Sequence, residues 1–254
     1  MSKSILAVTG KGGTGKTAVV AIMAKILTQK YGHRLLVIDA DSAISLPYAL
    51  GVELGQTVAD VRQRMIEDPR SRSGMEDRHV RLIVADTLQR GEGFDLLVMG
   101  RPEGPGCYCS INDLLRYGIE TLSRQYDVTL IDCEAGPEQV NRRVVSSVDV
   151  LVIVSDASIR GVRVANSIRE VVQRDGQMKS TRTGLVINRL KTDDRQITEF
   201  ARQCGLDIFG RIPEDENITD CDAAGRPILE VPESSPSVRA VREILRTIGL
   251  PVAG

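Results

Sequence analysis

The sequence predicts an α/β fold: a mostly parallel sheet with helices on both faces, of the kind found in P-loop nucleoside triphosphatases. Three observations predict it. Short, uninterrupted runs of Val, Ile and Leu recur along the chain, as in strands that are buried on both faces. Segments with helical periodicity separate these runs, which is typical of a parallel sheet. No change of composition marks a boundary, so we expect one domain over residues 1–254.

The elements follow one another in chain order. The run ILAV at 5–8 is the first strand, and the apolar stripe over 18–29 is the first helix. Further runs of the same apolar type predict the remaining strands at 35–38, 82–84, 96–99, 128–131, 150–154 and 184–187. Amphipathic patterns predict the remaining helices at 110–124, 138–147, 158–174, 195–204 and 236–247.

Composition excludes several classes of function. The chain has 254 residues, and its 33 basic and 34 acidic side chains give a net charge of −1. This balance argues against sequence-independent binding of nucleic acid, which needs a basic surface. Aromatic residues are only 3% of the chain, too few for stacking on single strands. No apolar run reaches the roughly 18 residues of a membrane-spanning helix, so we expect no stable membrane insertion.

Five cysteines and the start of the chain indicate a cytoplasmic protein. An odd number of cysteines without an export signal favours a reducing compartment over a disulfide framework. The first apolar run leads into a glycine-rich segment and not into a small-residue cleavage site, so we expect no signal peptide.

The glycine-rich segment after the first strand fits two motifs. Gly10, Gly12 and Gly15 satisfy the dinucleotide pattern G-x-G-x-x-G, for which Asp39 would be the ribose-binding acid. The same segment satisfies the phosphate-loop pattern G-x-x-x-x-G-K-[ST]. Its residues in order are Gly10, Lys11, Gly12, Gly13, Thr14, Gly15, Lys16 and Thr17.

Chemistry favours the phosphate loop. A triphosphate site needs backbone N–H groups and a cation for the phosphates, and a hydroxyl for Mg²⁺. Lys16 supplies the cation and Thr17 supplies the hydroxyl. A dinucleotide loop has no use for this pair. The phosphate loop also requires a later strand that ends in an aspartate, and Asp132 follows the run at 128–131. We therefore predict an Mg²⁺-dependent ATPase.

Lys11 indicates which group of phosphate-loop proteins the chain resembles. The string K-G-G-x-G-K-T resembles the deviant Walker A ATPases, which include MinD, ParA and the nitrogenase iron protein, and the resemblance runs through the whole chain. It implies a homodimer that encloses two ATP molecules, with Lys11 reaching the phosphates of the partner subunit. Two lysines beside the developing negative charge would stabilise the transition state of phosphoryl transfer.

Two further segments resemble the switches of that family. Asp41 matches the aspartate that orients the attacking water, although Ser42 stands where proline is usual. The string D-C-E-A-G at 132–136 matches the second switch. The resemblance places Asp132 on Mg²⁺ through water and Gly136 near the γ-phosphate.

The resemblance also implies a base site. Asn188, followed by Arg189, ends a predicted strand where the family has an adenine-recognising asparagine. Pro213 lies in the segment R-I-P-E at 211–214, which follows a short strand and resembles the segment beside the adenine.

Cys107 and Cys109 form a C-x-C pair before the predicted helix at 110–124. In an extended segment both thiolates point to one side, and two chains on a two-fold axis would complete a four-thiolate site. In this context G-x-C-x-C resembles the CooC-type accessory ATPases of nickel carbon monoxide dehydrogenase maturation, as do E-A-G-P-E-Q at 134–139 and the arginine pair that follows. This implies nickel or zinc between the subunits and carbon monoxide dehydrogenase as the client.

The remaining cysteines and the two histidines are assigned smaller roles. Cys133 is interpreted as a packed residue behind the magnesium site, and an iron–sulfur cluster ligand is the alternative. Cys204 and Cys221 are predicted to be structural, and His33 and His79 to lie on the surface.

Two other functions stay open. One is a MinD/ParA-type positioning ATPase, although the segment after 246 contains Gly and Pro where MinD has a basic amphipathic helix. The other is an iron–sulfur electron-transfer ATPase.

Overall fold

A computed structural model describes residues 3–31, 34–67, 84–101, 117, 120–136, 147–175, 179–191, 193–250 and 252. Within these residues an eight-stranded sheet has the order β3-β4-β2-β5-β1-β6-β7-β8. The strands are β1 Ser4–Gly10, β2 Leu35–Ala40, β3 Gln89–Gly91, β4 Phe94–Val98, β5 Val128–Cys133, β6 Ser147–Asp156, β7 Lys179–Leu190 and β8 Ile208–Pro213. All neighbouring pairs are parallel except β3 with β4. The predicted α/β class with a mostly parallel sheet is confirmed.

Helices pack on both faces of the sheet. They are α1 Lys16–Tyr31, α2 Leu46–Ala49, α3 Val58–Glu67, α4 Ile159–Asp175, α5 Arg195–Gln203, α6 Glu216–Ala224 and α7 Pro236–Thr247. Helices α1 and α7 share one apolar core with the sheet, and α4 and α5 share the other. Because central strands such as β1 bury side chains in both cores, they are apolar without alternation.

The register gathers polar residues at the carboxyl ends of the central strands. Asp39 of β2 pairs with Asp132 of β5, and Asp156 of β6 pairs with Asn188 of β7. Gly10, at the end of β1, pairs with Val154. In open parallel sheets ligands bind at this edge, so the fold brings the predicted site residues together.

Three expectations about elements require correction. The strand predicted at 82–84 is wrong at Val84, which lies in a helical turn that includes 84–86, while 82–83 lie outside the described residues. A buried apolar run of this length does not distinguish strand from helix. Ser147 begins β6 and does not end a helix. The rest of the helix predicted at 138–147 lies outside the described residues. Pro213 is the last residue of β8 and does not follow that strand.

Candidate functional site: a phosphate loop at the sheet edge

The glycine-rich loop connects β1 to α1. Gly10 has φ +152°, and a Cβ there would lie 2.1 Å from the carbonyl oxygen of Val154 on β6. Only glycine fits so close to a neighbouring strand. The Gly10 carbonyl accepts a hydrogen bond from the N–H of Gly136 at 3.1 Å, which ties the loop to the second switch.

The loop lines a cleft of about 670 Å³. Predicted site residues that line it are Gly12, Gly13, Gly15, Lys16, Thr17, Asp41 and Arg189. Because α1 begins at Lys16, the N–H groups of its first turn have no partner within the helix and suit an anion.

Lys16 supplies a positive charge to this cleft. Its residue is only 7% exposed, and an ammonium buried to this extent is costly without an anion beside it. The Lys16 charge favours the ionised form of Asp132 and so counts among the effects that lower the pKa of that carboxyl. Phosphate oxygens in the cleft would supply the anion that a triphosphate site needs.

Thr17 and Asp132 meet at the base of the cleft. The Thr17 hydroxyl donates a hydrogen bond of 2.7 Å to Oδ2 of Asp132, which is fully buried. Oδ1 of Asp132 is buried without a partner among the described residues. Burial, and to a smaller extent the charges of Asp39 and Asp41, raise the pKa of Asp132 to about 7 against the opposing effects of Thr17 and Lys16.

This pair fits the magnesium ion that the loop chemistry implies. Hydroxyl and carboxylate oxygens are the ligands that Mg²⁺ prefers, and the orphaned Oδ1 is an acceptor that a metal-bound water would satisfy. Thr17 would hold the ion directly and Asp132 through water. Bound Mg²⁺ would neutralise charge on the phosphate oxygens during transfer.

Asp39 shapes the loop that carries Asp41. Its fully buried carboxylate accepts hydrogen bonds from the N–H of Asp41 at 3.0 Å and of Leu46 at 3.1 Å. Burial raises its pKa to about 7, although these two bonds oppose the shift. Because both carboxylate oxygens bind the backbone, Asp39 is not available to bind a ribose hydroxyl. The dinucleotide interpretation therefore lacks the acidic residue that it requires.

Sequence reasoning missed this role of Asp39. The sequence analysis assigned Asp39 only to the dinucleotide alternative. The position of Asp39 at the end of a strand, two residues before Asp41, could have indicated that its carboxylate binds the backbone of the loop that follows. Asp41 itself lies in the cleft, and its Oδ1 caps the N–H of Ala43 at 2.9 Å. Ser42 Oγ lies 3.3 Å from Oε1 of Glu134, so the two predicted switches touch.

Lys11 turns away from the cleft towards β6. Its Nζ lies 3.5 Å from Oδ2 of Asp156, and the two side chains are 40% and 37% exposed. An ion pair this exposed is weak, so Lys11 is free to exchange Asp156 for a stronger anion. Asp156 was not predicted as a site residue, because an aspartate at a strand end is commonly a turn or cap residue.

A second cavity of about 280 Å³ adjoins the loop. Asn188, Arg189 and Pro213 line it, as expected for a base site, together with apolar side chains such as Ile212 and Ile218. Asn188 also donates from Nδ2 to the carbonyl oxygen of Thr14 at 2.8 Å. The base and phosphate regions therefore share a wall.

Three of the five cysteines, Cys133, Cys204 and Cys221, lie within the described residues. The C-x-C pair Cys107 and Cys109, like His33 and His79, lies outside the described residues. The thiol of Cys133 has its pKa raised to about 12, first by burial and then by the negative charge of Asp132. Cys221 is buried in the core and Cys204 caps α5, which agrees with structural roles.

The described residues contain neither a metal-binding cluster nor a membrane-spanning helix. Within the described ranges there is no group of three or more His, Cys, Asp or Glu that is placed to hold a metal ion. Of the helices described, none is long and apolar enough to cross a membrane.

Comparison with known proteins agrees with the geometry. The model of the CobQ/CobB/MinD/ParA nucleotide binding domain matches residues 5–228. The chain is 37% identical to an uncharacterized ATP-binding protein of Methanocaldococcus jannaschii, with 96% of this chain and 98% of the relative covered. It is 32% identical to the carbon monoxide dehydrogenase accessory protein CooC of Rhodospirillum rubrum, with 92% and 91% covered.

The fold resembles that of a solved structure with bound nucleotide. The septum site-determining protein MinD of Pyrococcus horikoshii, in complex with Mg-ADP, superposes with a TM-score of 0.71. The identity is 21%, and the superposition covers 98% of this chain and 96% of the other. At this identity the likeness supports the fold.

Proposed function

The chain belongs to the CobQ/CobB/MinD/ParA nucleotide-binding family and is an ATPase, and from this premise we propose that it is a metallochaperone that supports nickel insertion into carbon monoxide dehydrogenase. The observation that carries the proposal is the combination of a C-x-C pair with 32% identity to CooC along nearly its whole length. The metal is the cargo of the reaction, and ATP supplies the energy.

The hydrolytic steps fall to residues of the cleft. In this proposal Lys16 and the loop N–H groups bind the phosphates, and Thr17 and Asp132 organise Mg²⁺. Asp41 orients the attacking water, since its loop is fixed at the cleft by the buried Asp39 carboxylate. Lys11 leaves Asp156 and contacts the phosphates of the partner subunit.

The metal step falls to the C-x-C pair. Cys107 and Cys109 of two subunits would supply the four thiolates of a tetrahedral site for nickel or zinc. Because ATP would bring the two subunits together, its hydrolysis would relax the pair of subunits and alter the metal site. The proposal thus links dimerisation, metal and nucleotide in one cycle, with carbon monoxide dehydrogenase as the client.

Metal analysis of the purified protein tests the proposal. We expect the wild type, loaded anaerobically with nickel or zinc, to hold one ion per two chains by mass spectrometry and light scattering. The variant Cys107→Ala/Cys109→Ala should lose the ion, whereas Cys204→Ala, which removes a thiol from the end of α5, should keep it. A double variant that retains the same stoichiometry would contradict the proposal.

A MinD/ParA-type positioning ATPase is the second candidate, because the family and the fold include such proteins. Its membrane version requires a free amphipathic helix. In MinD that helix is at the position of the segment after 246, which in this chain contains Gly249 and Pro251. Co-sedimentation with anionic vesicles and with DNA, each with and without ATP, tests this candidate; ATP-dependent binding to either would favour it over the metallochaperone.

An iron–sulfur ATPase is the third candidate, and it depends on Cys133. Cluster iron binds thiolates, and burial raises the pKa of the Cys133 thiol, which disfavours its ionised form. Visible absorption after anaerobic purification tests it. A brown protein whose colour disappears in Cys133→Ala would favour the cluster.

A further inference from the structure

Three side-chain oxygens converge at the base of the cleft. The Thr17 hydroxyl donates to Oδ2 of Asp132 at 2.7 Å, and its oxygen lies 3.2 Å from Oγ of Ser45. Thr17 has one hydroxyl hydrogen and Asp132 accepts it, so Ser45 is the donor in the second hydrogen bond. Ser45 lines the cleft, although the sequence did not indicate it as a site residue.

The Ser45 hydroxyl does not cap the helix that follows it. Ser45 precedes α2, where a serine side chain commonly accepts a hydrogen bond from the first turn of the helix. Its side chain makes no such bond. The buried carboxylate of Asp39 instead accepts a hydrogen bond from the N–H of Leu46, the first residue of α2, at 3.1 Å. Because Asp39 takes over this role, the Ser45 hydroxyl is left for the cleft.

The backbone before Ser45 is strained. Ile44 has φ +52°, which is a rare conformation for a residue with a branched Cβ. Its N–H donates to the carbonyl oxygen of Asp41 at 3.1 Å and closes a turn over 41–44. Strain of this kind is typically retained where it positions a functional group. Here it accompanies the turn of the chain that places Ser45 beside Thr17.

The Ser45 oxygen has lone pairs available for a metal ion. Within the described residues, the bond to Thr17 is the only hydrogen bond that the Ser45 hydroxyl makes, and in it the oxygen is the donor atom. Two ligands on adjacent corners of an octahedral Mg²⁺ site lie about 2.9 Å apart, since each metal–oxygen distance is about 2.1 Å. The 3.2 Å between the Thr17 and Ser45 oxygens is close to this spacing.

We propose that Ser45 is a further ligand of the Mg²⁺ ion that accompanies ATP, beside Thr17. Ser45 lies on the loop that carries Asp41, so a bond from Ser45 to the ion fixes this loop only when the metal is present. Ser45 thereby couples metal binding to the position of the residue that orients the attacking water. The inference rests on the ATPase part of the proposed function and does not depend on nickel.

Nucleotide affinity with and without metal tests the proposal. Calorimetry gives the Kd of the non-hydrolysable analogue AMPPNP in EDTA and in saturating Mg²⁺, and the ratio of the two values is the gain from the metal. In Ser45→Ala we expect this gain to fall about 10-fold or more, while the Kd in EDTA stays within about twofold of the wild type. The ligand-free variant should melt close to the wild type, because the lost hydroxyl does not cap α2.

The variant Ser45→Cys separates direct binding from an indirect effect. A thiolate suits a soft ion such as Cd²⁺ and is a poor ligand for Mg²⁺. We expect Ser45→Cys to lose the gain from Mg²⁺ and, in Cd²⁺, to bind AMPPNP about 10-fold or more tightly than the wild type does.

Ser42→Ala and Ser42→Cys are the matched controls, because Ser42 lies on the same loop but its Oγ faces Oε1 of Glu134 at 3.3 Å. Both should show the wild-type gain from Mg²⁺. Ser42→Cys should show no advantage in Cd²⁺, which accounts for Cd²⁺ bound by the other cysteines of the chain.

Three results would overturn the proposal. They are an unchanged gain from Mg²⁺ in Ser45→Ala, equal losses of affinity in EDTA and in Mg²⁺, and a loss in Ser45→Cys that Cd²⁺ does not restore. If Ser45→Ala does not fold, Ser45→Cys, which is close to serine in size, keeps the test available. A wild type that binds AMPPNP under neither condition would refute nucleotide binding itself, whereas failure of the nickel assay would leave the inference intact.

Discussion

Thr17 and Asp132, which are 115 positions apart in sequence, meet through a hydrogen bond of 2.7 Å at the base of the cleft. Thr17 is the second residue of α1, which follows β1 and the loop, and Asp132 lies near the end of β5. The two residues meet because β1 and β5 are neighbours in the sheet. The pairing leaves Oδ1 of Asp132 buried without a partner among the described residues. The protein without nucleotide thus carries a buried carboxylate that is poorly compensated.

The variant Asp132→Asn separates the effect of this carboxylate on stability from its effect on Mg²⁺ binding. The variant keeps an oxygen for the Thr17 hydroxyl but removes the buried charge. At pH 8, above the raised pKa of Asp132, we expect the ligand-free variant to melt at a higher temperature than the wild type. Its affinity for Mg²⁺ in the presence of ATP should fall about 10- to 100-fold.

Asp220→Asn is the control for that experiment, because Asp220 is an exposed residue of α6 and loses the same charge. It should change neither the melting temperature nor the Mg²⁺ dependence. A lower melting temperature together with unchanged Mg²⁺ affinity in Asp132→Asn would show that the carboxylate is a structural group only.

The phosphate loop and Asp132 were predictable from the sequence, because their chemistry fixes both residue type and position after a strand. Asp41 was predicted from the resemblance of its segment to the first switch of the family. The hydrogen bonds of Asn188 were not predictable in the same way. An asparagine at a strand end suits a base, a turn or a backbone carbonyl, and the choice depends on a bulge that only the pairing with β8 creates. Strand β3, Gln89–Gly91, was also not predicted, because it contains no apolar run. Its residues pair antiparallel with β4 at the edge of the sheet.

Gly10→Ala and Gly12→Ala form a matched pair within the loop. A methyl group at Gly10 would clash with the Val154 carbonyl, and φ +152° is unfavourable for alanine. We expect Gly10→Ala to lower the free energy of unfolding by about 1–3 kcal/mol or more in urea titrations. At Gly12 a Cβ would meet only the Ala135 side chain at 3.8 Å, so the stability of Gly12→Ala should stay close to that of the wild type. Equal losses in both variants would refute the close approach as the cause.

Lys11→Ala tests whether this lysine acts across the dimer. The side chain lies outside the ATP cleft of its own subunit and contacts Asp156 through a weak ion pair. We expect the variant to bind ATP with an affinity within about twofold of the wild type, and its turnover to fall about 100-fold or more, because the lost charge acts on the transition state.

Mixing Lys11→Ala with Lys16→Ala is the decisive arm of that test. In a mixed dimer the Lys16→Ala subunit provides an intact Lys11 to ATP bound by its partner, so turnover should recover to a substantial fraction of the activity of one wild-type site. Each variant alone stays inactive and serves as the control. No recovery, with mixed dimers demonstrated by differential tags, would mean that Lys11 acts within its own subunit.

Asp215 joins the amino ends of two helices and makes their stability depend on pH. The buried carboxylate accepts hydrogen bonds from the N–H groups of Asn217, in the first turn of α6, and of Ser237, in the first turn of α7, and from the Ser235 hydroxyl. Burial alone would raise the pKa of Asp215, but these bonds outweigh it and lower the pKa from 3.8 to about 2. Because the folded state binds the proton more weakly than the unfolded state, Asp215 contributes stability above about pH 4, and the contribution is lost as the pH falls towards 2. The shift corresponds to about 2 kcal/mol.

We therefore expect Asp215→Asn to lower the free energy of unfolding by about 2 kcal/mol at pH 7 in urea, and the difference from the wild type to shrink at pH 3. Asp220→Asn, with its exposed side chain, should show no such difference at either pH. A difference for Asp215→Asn that is the same at pH 7 and pH 3 would mean that packing, and not the charge of the carboxylate, joins the two helices.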